Sequence, residues 1–272
     1  MNIGYRAHDC AIHEIDKLAA RLNKMGVKNI QFAIRKSLKT FDFEKVSFSP
    51  GFARYMKDEF DKNNIHVTVL GSYINPVAAD ENVRRAQVDM FIENLKYAKY
   101  LGADMFGTET GRPDERGREE CYKVLVKSMR EIADAAEKLG VMFAVEGVCR
   151  GTLSTPEYMK RLIDDVNSPN MLVIFDITNL LSFDNYKNQR EIIDKAFELY
   201  GDRIAAIHLK DFVAEDGSLK RAVFGTGELD KEYLFSVLKE RKPHIECMLE
   251  ELSEYDYMQC RGYIDKTFLK DE

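Results

Sequence analysis

The stretch that decides the fold is FAVEG, residues 143–147, a short apolar run that ends on the carboxylate of Glu146. Three later runs follow the same pattern and each closes on a polar side chain: LVIFD at 172–176, AAIH at 205–208 and CMLEE at 247–251. Buried parallel strands are continuous apolar runs, and the carboxyl ends of the strands of a parallel barrel open on one mouth. We therefore expect the four polar ends to meet in one active site.

Outward from these runs, short apolar segments alternate with amphipathic stretches along the whole chain, which is typical of repeated βα units. The predicted strands are 2–5, 29–34, 66–71, 105–108, 142–147, 172–175, 204–209 and 244–249. The predicted helices include 12–25, 50–63, 82–101, 116–139, 155–166, 189–199 and 231–239. This order predicts an α/β fold, a (β/α)8 TIM barrel, with a doubly wound open sheet as the alternative.

Start and stop signals agree with these helices. Gly102 and Gly140 each follow the last residue of a predicted helix, where glycine commonly ends helices. Thr155 stands before Pro156 as a hydroxyl cap, and Asp230 can cap the helix that begins at 231. Because no linker or low-complexity tract interrupts the series, we expect one domain over residues 1–272.

Composition narrows the function classes. The chain has 272 residues, 45% of them hydrophobic, and its 40 basic and 46 acidic residues give a formal charge of −6. Since the basic residues form no concentrated face, a nucleic-acid partner is not expected. Five scattered cysteines without a CxxC pair indicate neither a disulfide framework nor a cysteine zinc cluster.

No apolar run approaches the roughly 20 residues that span a bilayer, and the first residues lack signal-peptide features, so we expect a cytoplasmic protein without a membrane partner.

The four polar strand ends form a plausible metal set. Glu146, Asp176, His208 and Glu250 would supply three carboxylates and one imidazole, which suits Mn2+, Mg2+, Co2+ or Zn2+ better than a thiolate-seeking ion. Taken singly, each residue could instead form an ion pair or a cap at a strand end. Their occurrence at the ends of the last four predicted strands favours a divalent metal site.

The chain resembles the xylose-isomerase-like barrels, which include sugar and sugar-phosphate isomerases and epimerases such as the tagatose and psicose epimerases. The resemblance covers nearly the whole chain and is carried by seven segments in order: VTVLGSYINP (67–76), GTETG (107–111), AVEG (144–147), IFDITN (174–179), IHLKD (207–211), GTGELD (225–230) and LEE (249–251). It implies that Glu146, Asp176, His208 and Glu250 hold the metal. It also implies that Glu146 and Glu250 are the catalytic acid and base around a metal-stabilised enediolate.

Two positions of the motifs need comment. The family often has a histidine three residues after the metal-binding aspartate, and this chain has Asn179 there, which can donate a hydrogen bond but cannot carry a proton. Glu251 follows Glu250 directly, and strand alternation lets one of the two face the barrel mouth. We choose Glu250 because it follows the Leu-Glu pattern of the family.

Other polar residues at the carboxyl ends of predicted strands are candidate substrate contacts. His8, Tyr73, Glu109 and Arg150 could each bind a sugar or serve a structural role, and Asn179 could bind a hydroxyl. Lys210 lies two residues after His208, so alternation points it the same way. It could bind a hydroxyl, carboxylate or phosphate of the substrate, or pair with a neighbouring carboxylate.

The leading hypothesis is a divalent-metal-dependent isomerase or epimerase of a small-molecule carbohydrate, a sugar or sugar phosphate. Two alternatives remain: an inosose dehydratase-like lyase with the same metal site, and a catalytically inactive sugar-binding barrel. With five histidines in the chain, a histidine-rich three-zinc cluster like that of the endonuclease IV-like members is not expected. A homodimer is possible.

Overall fold

Eight parallel strands close into a barrel in the computed structural model, which describes residues 1–39 and 49–269. The barrel strands are β1 (Asn2–Arg6), β2 (Asn29–Phe32), β3 (His66–Gly71), β4 (Met105–Glu109), β5 (Met142–Glu146), β6 (Met171–Phe175), β7 (Ile204–Leu209) and β10 (Glu246–Leu249). Their order around the barrel is β1-β10-β7-β6-β5-β4-β3-β2. The predicted TIM barrel is confirmed, and the open sheet is excluded.

Helices surround the barrel. They are α1 (Ile15–Lys24), α2 (Ile34–Ser37), α3 (Pro50–Lys62), α4 (Glu81–Leu101), α5 (Arg118–Leu139), α6 (Pro156–Val166), α7 (Ile177–Leu180), α8 (Gln189–Tyr200), α9 (Lys231–Arg241) and α10 (Glu254–Thr267). Each long helix buries one face; in α5, for example, Leu125, Met129, Ile132 and Ala136 are buried at helical spacing. The described helices include none with both the length and the apolar character that crossing a bilayer requires.

The predicted caps are present. The Thr155 side chain accepts a hydrogen bond from the backbone N of Tyr158, and the Asp230 side chain accepts one from the backbone N of Tyr233. Gly102 and Gly140 end α4 and α5 with φ values of 76° and 62°. These local signals set where the chain leaves each helix and enters the next strand.

Several boundaries and elements differ from prediction. The first helix begins at Ile15 rather than residue 12, because Glu14 is still extended, and the second strand ends at Phe32 because α2 starts at Ile34. Helices α2, α7 and α10 and an antiparallel hairpin were not predicted. The hairpin consists of β8 (Asp211–Glu215) and β9 (Ser218–Ala222). Its turn places Asp216 and Gly217 at φ 51° and 73°, the geometry that Asp-Gly favours.

The barrel interior beneath the mouth is filled. Val69, Met105, Ala144, Ile174 and Ala206 form a buried cluster there, separate from the larger core between strands and helices. This packed layer closes the barrel, so polar chemistry is confined to the carboxyl ends of the strands.

Candidate metal centre and active site

Four side chains converge at the carboxyl ends of neighbouring strands. Glu146 is the last residue of β5, Asp176 follows β6 as the cap of α7, His208 lies in β7 and Glu250 follows β10. All four are buried. Among the described residues, Glu146, Asp176 and His208 form a group whose ligand atoms lie within 4.8 Å of one another. Adjacent strands thus bring together residues that are far apart in the sequence.

His208 lies between the two glutamates. Its Nδ1 is 3.2 Å from Glu146 Oε1, and its Nε2 is 3.5 Å from Glu250 Oε1. The choice of Glu250 over Glu251 agrees with this geometry, because the chain turns at Glu251 with a φ of 59° and leaves that side chain partly exposed. Glu250 is therefore the carboxylate of the pair that faces the site.

The donor atoms fit a divalent cation. His208 Nε2 and Glu250 Oε1 are buried and form no hydrogen bond with any of the described residues. Buried polar atoms left in this way are costly unless an ion or water satisfies them. Carboxylate and imidazole are ligands that Mn2+, Mg2+, Co2+ and Zn2+ accept, and Glu146, Asp176 and His208, with Glu250 beside them, are the residues that would hold such an ion.

Two cations of the chain also contact this centre. Lys210 Nζ lies 2.8 Å from Asp176 Oδ2 and 3.0 Å from Glu250 Oε2. Arg6 donates to Glu250 Oε2 over 3.1 Å and is itself held by two hydrogen bonds to Asp9. As alternation predicts, Lys210 points into the site, where it pairs with Asp176 and Glu250. Arg6 and Lys210 together orient Glu250.

The charges of the centre shift the pKa values of its members. Burial alone would raise the pKa of Glu250, but His208 and Lys210 outweigh it and lower that pKa to about 2. Burial raises the pKa of Asp176, which Lys210 offsets in part. Burial would lower the pKa of His208, but Glu250 and Glu146 raise it. Because a metal-bound imidazole is neutral, a raised pKa at His208 means that a proton and a metal cation would compete for this ring.

Asn179 occupies the position where the family often has histidine. Its Nδ2 donates to Glu146 Oε1 over 2.6 Å, and its backbone N donates to Asp176 Oδ1 over 3.0 Å. The amide thus fixes the orientation of one candidate catalytic carboxylate without offering a proton-transfer group.

The remaining predicted contacts lie around the same mouth. His8 follows β1 and leaves its Nδ1 buried without a hydrogen-bond partner among the described residues; burial lowers its pKa to about 4, so it is neutral at pH 7. Tyr73 follows β3, where its hydroxyl accepts from Gln31 and the ammonium of Lys36 lies 3.4 Å above its ring. Glu109 ends β4 in register with Glu146. Arg150 follows β5 and is exposed.

Sequence analysis missed Gln31. It is a buried amide between Ile30 and Phe32 in strand β2, and its Oε1 has no hydrogen-bond partner among the described residues. It borders a small cavity together with Tyr73, Glu109, Glu146 and His208. The usable signal was the amide of Gln31 between two large apolar residues, since a polar group in a buried strand needs a partner.

Comparison with known proteins adds to this geometry. Solved structures with the same fold include the IolI protein with a zinc atom (TM-score 0.80, 18% identity, 99% of both chains covered) and a D-tagatose 3-epimerase-like protein (TM-score 0.80, 20% identity, 100% of this chain and 98% of that chain). At such identities these likenesses show the fold.

Two curated relatives match a smaller part of the chain. A probable endonuclease 4 of Alkaliphilus oremlandii is 23% identical over 185 residues, covering 65% of this chain and 66% of that protein. A probable L-ribulose-5-phosphate 3-epimerase UlaE of Mycoplasma pneumoniae is 26% identical over 137 residues, covering 50% and 42%. The chain thus spans about two fifths to two thirds of the length of these two relatives.

A family model also matches most of the chain. The model described as xylose isomerase-like TIM barrel matches residues 19–260, which include β2 to β10 and all four converging side chains. The resemblance of the sequence motifs and the closed parallel barrel agree with this match. The chain therefore belongs to the xylose isomerase-like TIM barrel family.

Proposed function

We propose that this protein is a divalent-metal-dependent isomerase or epimerase of a sugar or sugar phosphate. The observation that carries the proposal is the placement of two buried carboxylates, Glu146 and Glu250, on the two nitrogens of His208, with Asp176 beside them. The epimerases among the relatives and structural neighbours support it. A site of this kind suits chemistry at a carbon next to a carbonyl.

In this proposal the chain supplies proton transfer and orientation. A divalent cation held by Glu146, Asp176, His208 and Glu250 would polarise the adjacent carbonyl and hydroxyl oxygens of the substrate. One of the two glutamates removes the proton from the carbon beside the carbonyl. Return of a proton to the opposite face by the other glutamate gives epimerisation, whereas return to the neighbouring carbon gives isomerisation.

The surrounding side chains are assigned to the substrate. His8, neutral at pH 7, can exchange hydrogen bonds with a sugar hydroxyl, and Tyr73 can pack against a sugar face. Glu109 and Arg150 reach from the ends of neighbouring strands. Lys210 and Asn179 contact the carboxylates and can also reach substrate oxygens, so their proposed role is both positioning and binding.

The first experiment measures divalent metal in the purified protein together with deuterium uptake from heavy water into a panel of ketoses and their phosphates. We expect bound metal and exchange at one carbon. Metal without exchange in any ketose would contradict the isomerase proposal. Absence of metal would contradict the metal centre and favour a non-catalytic barrel.

Two substitutions locate the proton transfer. Glu146→Gln and Glu250→Gln preserve size but remove the base, so each should abolish exchange while the fold remains intact by circular dichroism. Glu246→Gln is the matched control, since Glu246 lies at the opposite end of β10, where it accepts from Asn2. Normal activity of either site variant would remove that residue from the mechanism.

The same assay separates the dehydratase alternative. A lyase would begin with the same proton removal but release water, so its product would be lighter by one water molecule in the mass spectrum. An isomerase or epimerase leaves the mass of the substrate unchanged apart from deuterium. Endonuclease activity, the test suggested by the name of the endonuclease 4 relative, should not be detected.

A further inference from the structure

A cavity of about 580 Å3 opens beside the candidate metal centre. Asn179 and Lys210, which contact the centre, border it, so the cavity is continuous with the site. Its walls come from the loops after β4 and β5, from α7 and the loop that follows it, and from the hairpin β8–β9. A substrate with its reacting carbons at the carboxylates would extend its far end into this space.

The cavity wall is richer in cations than the chain as a whole. Five basic residues and three acidic residues border it, whereas the whole protein carries a charge of −6. Three of the cations are engaged: Lys210 with Asp176 and Glu250, Lys220 with Glu215 and Asp216, and Arg221 with Glu251 at 3.8 Å. The remaining two are Arg112 and Arg150.

These two arginines have no ion pair or hydrogen bond with any residue that the structure describes. Burial raises the pKa of Glu109, and the charge of Arg112 opposes that rise from a distance, but the two groups form no ion pair. A guanidinium offers five donors in a planar fork that matches the oxygens of a carboxylate or phosphate. Two such groups on one cavity wall leave their donors directed to a ligand or to water.

The loops that carry the arginines are held in place by the backbone. Thr152 donates from its backbone N and from Oγ1 to the carbonyl of Gly111, over 3.0 and 3.3 Å, so the two loops are joined beside Arg112. The backbone N of Cys149 donates to the carbonyl of Asn179 over 2.7 Å. The backbone of Arg150 is therefore placed relative to Asn179, and the loop backbone at both arginines is held at the mouth.

We propose that Arg112 and Arg150 bind a terminal anionic group of the substrate, a phosphate monoester or a carboxylate, in this cavity. The inference rests on the proposed function and narrows its substrate class to anionic sugars. Lys210 does not serve as the anion site because Asp176 and Glu250 already neutralise it. A neutral sugar would leave both guanidinium groups without a counter-charge.

The test is calorimetric titration of the Mn2+-loaded protein with three ligands of one skeleton: D-fructose, D-fructose 6-phosphate and D-fructuronate. We expect one of the two anionic forms to bind at least about tenfold more tightly than D-fructose, and which one does so identifies the group. Arg112→Gln and Arg150→Gln should each weaken the binding of that form by about 10- to 100-fold, a far larger change than either variant causes in the affinity for D-fructose.

Two variants control for general charge. Lys220→Gln removes a cation from the same wall that already has two carboxylate partners, and Arg54→Gln removes an exposed cation on α3. Neither should change the affinity for the anionic form by more than about threefold. Compared with Arg150→Gln, the Arg150→Lys variant should regain part of the affinity for the anionic form, because the positive charge returns without the planar guanidinium group.

Equal affinities for the three ligands, including no measurable binding of any, would overturn the inference, as would anion binding that survives both glutamine variants. Because calorimetry detects binding without turnover, the two proposals can fail separately. Anion binding that depends on the arginines, without deuterium exchange in any sugar, would contradict the proposed function alone. Exchange in D-fructose and D-fructose 6-phosphate at equal efficiency would overturn the anionic substrate class alone.

Discussion

Lys210 occupies a position from which it would compete with a bound metal ion for the carboxylates of Asp176 and Glu250. Its side chain is 10% exposed, and its Nζ lies 2.8 Å from Asp176 Oδ2 and 3.0 Å from Glu250 Oε2. Lys210→Met keeps an unbranched side chain of similar length and removes the charge. We predict that this variant is less stable than the wild type without metal and binds a divalent cation more tightly.

The loss of stability without metal and the tighter binding of the cation have different physical causes. Removing one partner of a buried ion pair leaves uncompensated charge and costs about 3–5 kcal/mol of folding free energy. Protonation of Asp176 offsets part of this cost, because burial has already raised the pKa of that carboxyl. Two unit charges about 4 Å apart repel by roughly 4 kcal/mol at an effective dielectric constant near 20. Relief of even a quarter of the repulsion felt by a divalent cation would tighten its binding about tenfold or more.

Urea unfolding of both proteins, with and without Mn2+, measures both effects. The variant should lose about 3 kcal/mol without metal and recover most of the difference at saturating Mn2+. Lys231→Met is the matched control, because Lys231 pairs with Asp211 at 3.2 Å; it should lose stability that Mn2+ does not restore. A Lys210→Met protein as stable as the wild type without metal, or a wild type stabilised more by Mn2+, would refute the reasoning.

Three further predictions concern the scaffold. Asp211→Asn should lower the free energy of unfolding by about 3–5 kcal/mol in urea, because this buried carboxylate accepts four backbone N–H groups and the Lys231 ammonium; a loss below about 1 kcal/mol would contradict this. Gly107→Ala should cost about 1–3 kcal/mol in thermal unfolding, since a Cβ there would lie 2.8 Å from Val69 Cγ1 and 2.9 Å from Ile174 Cδ1, and Ile174→Val should recover part of the loss. The hydrogen bond to Asp104 raises the pKa of His66 in the folded protein. Protonated His66 therefore stabilises the fold below its pKa in the unfolded chain, and this stabilisation is lost as the pH rises through its pKa in the folded protein. His66→Gln should therefore cost up to about 1 kcal/mol near pH 5.5 and almost nothing near pH 8.5, and an equal cost at both would argue against the ion pair.

Much of the fold and of the centre followed from local sequence patterns. The apolar run before Glu146 and the glycine after each long helix depend on residues close in the chain, so strand direction and helix ends could be predicted. The carboxyl ends of parallel strands meet wherever the barrel closes, which is why Glu146, Asp176, His208 and Glu250 could be expected together. The misplaced start of α1 and the unpredicted hairpin arose where local signals were weak or were not used, as with Asp216-Gly217.

The ion-pair and hydrogen-bond partners of the charged side chains at the barrel mouth depended on the tertiary structure. Lys210 could have paired with its neighbour Asp211, but it pairs with Asp176 and Glu250, while Asp211 binds the loop at Gly225. Such contacts depend on strand register and loop path, which side-chain periodicity does not encode. The sequence alone therefore determined which residues reach the barrel mouth, because that depends on alternation along each strand. The packing of strands and loops distant in the chain decided which charges are neutralised there and which, as in Arg112 and Arg150, remain without a partner among the described residues.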